Sequence, residues 1–134
     1  LVNLKLIDIE REMRRKIVDV YTQNLAGIPG ISVFEIPEGV KRSYQYFVIR
    51  IGDEFGRSRD EVYAEFKKYN IFARKYFYPL CSDYACYRHL PSSDPENLPV
   101  AGKIVREVLC LPLYGGLELD EAEKICAILK GFNK

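Results

Sequence analysis

The sequence predicts an α+β fold, a small antiparallel or mixed sheet covered by helices, in one domain over residues 1–134. Two observations carry this. Apolar residues at three- and four-residue steps open and close the chain, while short β-branched and aromatic runs lie between them. The segments then read helix, strand, strand, helix, strand, long loop, helix, strand, helix, an order that suits helices packed on a sheet. At 134 residues the chain can bury roughly two-thirds of its unfolded surface as a single domain. Repeats, low-complexity stretches and an internal boundary are absent from the sequence.

Each element has a local cause. From Leu4 to about Ala26, Leu6, Ile9, Met13, Ile17, Val20 and Tyr21 form one apolar face of a long helix. Gly27 and "GIPG" end it. "ISVFEI" (31–36) and "YQYFVIRI" (44–51) read as strands. Ser58 and Glu61 make a capping box, and the helix they open carries Val62, Phe66 and Tyr69 and ends near Asn70. "NIFARKYFY" (70–78) reads as a strand, and residues 79–99 as a long proline-containing loop, a length usually tied to function or disorder. Pro99 opens a further helix, "LCLPLY" (109–114) is a strand, and "LDEAEKICAILKG" is the last helix.

Composition narrows the function classes. Apolar residues at 48% and charged residues at 29% are those of a soluble globular protein. A net charge of +1 supplies no field for a phosphate backbone, so no nucleic-acid partner is expected. No apolar run approaches the roughly 20 residues of a membrane span, and no signal peptide is visible. The expected location is cytoplasmic. The chain opens "LVNLKLID" without an initiator Met and reads as part of something longer.

The chemistry concentrates in "ARKYFYPLCSDYACYRH" (73–89). Cys81, Cys86 and His89 are zinc-ligand types within nine residues, but a structural site needs a fourth ligand and none is evident. A standalone binding or regulatory module organised by metal at this loop is the alternative; otherwise these are incidental loop residues. Lys75 beside Arg74 has the cationic neighbour that lowers an amine's pKa, although adjacent strand residues point to opposite faces. Arg74, if inward, can fork onto a carboxylate or phosphate, or simply pair with an acidic residue. Tyr76 and Tyr78 share a face of the predicted strand and offer hydroxyls to a polar ligand, or else cap the core. His89 has no companion nucleophile at telling spacing, and no glycine-rich phosphate loop is present.

The segments "IEREMRRKIVDVYTQNL", "SYQYFVIRI", "SRDEVYAEFKKYNIFARKYFYPL" and "LPVAGKIVREVLCLPLYGGLELDEAEKICAIL" resemble the C-terminal small domain of the DegT/DnrJ/EryC1/StrS aminotransferases. The resemblance runs from about Leu4 to Leu129. It implies the C-terminal domain of the fold type I architecture, in an enzyme that uses pyridoxal phosphate (PLP) to aminate nucleotide-linked keto sugars, with glutamate the suggested donor. It also implies that the Schiff-base lysine lies on an absent N-terminal PLP domain, because none of the ten lysines here fits that motif. The fragment is then expected to bind no PLP and to be inactive alone. The family's usual Thr-Arg-x-His-Tyr-x-Pro-Leu-His becomes residues 73–81 here, keeping Arg74 and Pro79-Leu80 but placing Tyr76 and Cys81 at the histidine positions. Arg74, Tyr76 and Tyr78 are the candidate substrate-binding residues, on one wall of the substrate cleft. A homodimer is implied for the intact enzyme, with the first helix as the apolar surface a detached domain would expose.

Overall fold

A computed structural model describes residues 3–133. Helix α1 (Ile7–Leu25) enters from a 3-10 turn at Asn3–Leu6 and stops where Gly27 takes a φ of +76°. Strands β1 (Ile31–Val33) and β2 (Phe47–Ile51) follow, then α2 (Arg59–Lys68). Strand β3 is the pair Arg74–Lys75, and a long loop leads to α3 (Pro99–Glu107), β4 (Val108–Leu111) and α4 (Leu119–Phe132). The four strands form one antiparallel sheet in the order β1-β2-β4-β3. The element order is the expected one, and the sheet is wholly antiparallel.

Cross-strand partners share a face of the sheet, so the register decides which side chains reach the core. Phe47 opposes Leu111 and Ile49 opposes Leu109, and all four are buried against α1, α4 and α2. Helix α1 contributes Ile17, Val18, Tyr21 and Leu25 to that core, α2 contributes Val62 and Phe66, and α4 contributes Ile125, Cys126, Leu129 and Phe132. The Tyr21 and Phe47 rings meet at 4.9 Å, and the Tyr21 hydroxyl donates to the Pro112 carbonyl. On the opposite face Val48 and Val108 line a groove with Val105 of α3, Cys110 lies beside Val48, and the rest of that face stays open.

Several segments depart from the sequence reading. The stripe on α1 is only half core: Leu6, Ile9 and Met13 are exposed, because a helix of this length overruns a small sheet. Strands expected over 31–36, 44–51 and 109–114 shrink to 31–33, 47–51 and 108–111, with Phe34 and Ile36 exposed. Most of the strand expected over 70–78 does not pair. Asn70 takes a φ of +59° two residues after the end of α2, and Phe77 takes +40°, so the backbone leaves the ladder on both sides of Arg74–Lys75. Residues 79–98 are a loop built of tight turns, including 3-10 turns at Cys81–Asp83, Pro91–Ser93 and Pro95–Asn97.

Candidate functional site

The short strand β3 decides where the candidate side chains point. Arg74 pairs with Cys110 and therefore projects from the open face of the sheet, where it is exposed. Lys75 pairs with Leu109 and turns to the side of α2. Of the two cations, Lys75 is the half-buried one.

The open face carries a groove of about 880 Å³ lined by Phe34, Arg42, Tyr46, Val48, Tyr76 and Phe77 among others. A second groove of about 590 Å³ holds Arg74 with Asn70, Cys110, Tyr114 and Lys124. Tyr46 belongs to both. Its ring lies 5.6 Å from Tyr76 and 6.4 Å from Phe77, and the Tyr76 and Phe77 rings are 4.2 Å apart. Tyr46 is thus shared by the two grooves, with Tyr76 and Phe77 lining the first and Arg74 the second. Such a surface can stack on a flat ring and offer guanidinium and phenol donors to an oxyanion.

Tyr78 does not join Tyr76, contrary to the shared face expected from alternation. The positive φ at Phe77 ends the alternation and swings Tyr78 to the α2 side. There its ring lies 5.2 Å from the Arg59 guanidinium and 5.3 Å from the Lys75 ammonium. The three candidates therefore divide: Arg74 and Tyr76 occupy neighbouring grooves on the open face, and Tyr78 sits behind them.

Arg59, Asp60 and Tyr46 are the residues sequence reasoning passes over. Arg59 is 1% exposed. It donates Nη1 to the Val108 carbonyl at 3.1 Å and Nε to Asp60 Oδ1 at 2.6 Å. Lys75 Nζ meets the same carboxylate oxygen at 2.8 Å. Hydrogen bonding from Lys75, helped by the Arg59 charge, holds the Asp60 carboxyl below its ordinary range. "SRDE" explains itself as a capping box, so nothing local shows that its arginine will be buried. A buried arginine needs partners from elsewhere in the chain, and Val108 lies 49 residues away.

Cys81 and Cys86 are exposed free thiols, and no group of three His, Cys, Asp or Glu side chains able to hold a metal occurs among the described residues. The metal-organised alternative has no support in this geometry.

The family described as the DegT/DnrJ/EryC1/StrS aminotransferases matches residues 1–130. The chain is 43% identical over 131 residues to dTDP-4-amino-4,6-dideoxy-D-glucose transaminase of Escherichia coli, covering 98% of this chain and 35% of that protein. Spr1654 of Streptococcus pneumoniae, solved in a PLP form, superposes with a TM-score of 0.87 at 26% identity over 99% of this chain and 33% of its own. The aminotransferase TlmJ of Streptoalloteichus hindustanus shares the fold, with a TM-score of 0.83 at 24% identity over 98% of this chain and 34% of its own. This chain spans about a third of the length of the relatives it matches.

PLP is the cofactor such relatives imply, and the described residues do not fit it. The cofactor's aldehyde needs an amine free to attack, held in a shielded site. Lys75 has its amine in an ion pair with Asp60, between the rings of Tyr63 and Tyr78. Every other lysine among the described residues is exposed.

Proposed function

Because the chain belongs to the DegT/DnrJ/EryC1/StrS aminotransferase family, we propose that it is the C-terminal small domain of a PLP-dependent enzyme that aminates a nucleotide-linked keto sugar. In this reading the cofactor and its lysine sit on an N-terminal domain outside this chain, and these 134 residues do not transaminate alone. The observation that carries the reading is the open face of the sheet. It presents the Tyr46, Tyr76 and Phe77 rings in one groove and Arg74 in a second groove that shares Tyr46. A nucleotide-linked sugar offers a flat base, a charged diphosphate and hydroxyls, and that surface has a partner for each. The 43% identical relative is a transaminase of a dTDP-linked sugar, which favours the same substrate class.

Arg74 and Tyr76 are the substrate-side residues in this proposal, with Arg74 taking an anionic oxygen and Tyr76 donating its hydroxyl. Tyr78 acts from behind the wall. The exposed Leu6, Ile7, Ile9 and Met13 on and before α1 suit burial against the rest of a homodimeric enzyme. No helix of the described residues is long and apolar enough to cross a membrane, and we place the enzyme in the cytoplasm with its substrates.

Arg74→Ala in the full-length enzyme tests the wall. KM for the sugar nucleotide is expected to rise about tenfold or more, as loss of a charge-assisted contact would give. Unchanged steady-state constants would overturn the assignment. Amino transfer by this chain alone, supplied with PLP, donor and keto sugar, would overturn the division of labour.

A further inference from the structure

The loop at residues 79–98 leaves the sheet from a strand of only two residues, so the backbone ladder does little to aim it. The hydrogen bonds described within residues 80–97 close on the loop itself: Leu80 with Asp83, Ser93 with Tyr87, Asn97 with Pro91, and Glu96 with Asp94. Such a loop is internally knit, and among the described residues no hydrogen bond ties 80–97 to residues outside the loop. Side chains must set its direction.

One carboxylate sits beside the departing end. Asp60, in the first turn of α2, takes Lys75 from β3 and Arg59 from its own helix on a single oxygen. Those two cations lie against the Tyr78 ring, one residue before the loop begins. Arg59 also holds the Val108 carbonyl at the junction of α3 and β4, on the strand that pairs with β3. Through Arg59 and Lys75, one charge thus links α2, β3, the start of β4 and the Tyr78 ring. Removing it would leave Arg59 buried with one remaining hydrogen-bond partner and Lys75 with none.

We propose that Asp60 is a positioning residue, fixing through Arg59, Lys75 and the Tyr78 ring the angle at which the 79–98 loop leaves the sheet. The consequence for substrate, that Arg74 and Tyr76 are held in register with it, rests on the substrate-wall reading above.

The test separates the two ideas. In the full-length enzyme, with any other exposed cysteines replaced, Cys81→Ser with Glu123→Cys leaves two exposed thiols in this domain, at Cys86 in the loop and at position 123 on α4, for spin labels. Adding Asp60→Asn is expected to broaden the label-to-label distance distribution about twofold, as expected for a segment released from its tertiary anchor. Asp60→Glu should restore most of the sharpness. An unchanged distribution with Asp60→Asn overturns the proposal. If Asp60→Asn does not fold, Lys75→Met, which breaks the same bridge, is read in its place by the same criterion. In the full-length enzyme the same variant should raise KM for the sugar nucleotide several-fold at nearly constant kcat, a split that general loss of stability would not give. A broadened loop with unchanged KM would overturn the substrate-wall reading and leave the role of Asp60 standing.

Discussion

Arg59 and the four cysteines show how much of this molecule's chemistry depends on where single residues lie. Arg59 would ordinarily be read as a solvent-facing residue of a helix's first turn, yet it is 1% exposed and bound to a carbonyl 49 residues away. The cysteines divide in the opposite sense. Cys81 and Cys86 are open to solvent, whereas Cys110 and Cys126 are buried and burial pushes each thiol up to about 11. A thiol reagent at neutral pH should therefore modify Cys81 and Cys86 quickly and the other two only after denaturant is added. Four thiols reacting together in the native protein would contradict the burial. The apolar settings of Cys110 and Cys126 are legible in "EVLCLPL" and "EKICAILK"; that no metal-holding cluster forms around Cys81, Cys86 and His89 among the described residues follows from the loop's path.

Among the elements, α2 is the one whose start is written most clearly. The Ser58 hydroxyl accepts from the Glu61 amide, and the Glu61 carboxylate accepts from both the Ser58 hydroxyl and its amide. Those bonds, the Ser58 hydroxyl first, hold the Glu61 carboxyl below its ordinary range. A depressed carboxyl stabilises the fold fully above the ordinary carboxylate range and loses that contribution as pH falls through its folded value. Ser58→Ala should cost about 1 kcal/mol near neutral pH, measured by denaturant unfolding. Its gap from the parent should narrow in acid, where protonated Glu61 no longer accepts; a gap independent of pH would show that the carboxylate has no part in the cap. Strand β3 is the contrary case. Its aromatic and β-branched composition predicts nine residues of strand, but only Arg74 and Lys75 find a partner. β-propensity describes a pleated surface with neighbours, and among the described residues this edge has a single neighbour, the four-residue β4.

At the scale of the whole molecule, one core face of the sheet supports α1, α2 and α4, and the other is left partly open beside α3. Phe47 is fully buried at the centre of that core, against Tyr21 and opposite Leu111. Phe47→Ala should cost about 3–5 kcal/mol, read as a lower Tm by circular dichroism. A loss under about 1 kcal/mol would mean the core is not organised around this layer. The sequence by itself determined the order of elements, the α2 cap, the ends of α1 and α2, and the resemblance to the aminotransferase family. Those signals are local or cumulative: a cap spans four residues, and a family likeness sums over the chain. Only the tertiary structure decided that Arg74 faces out while Lys75 faces α2, that Tyr78 parts from Tyr76, and that Asp60 gathers both cations. The physical reason is that a side chain's direction at a two-residue edge strand is set by its register with β4, some 35 residues further on, and no local pattern carries that register.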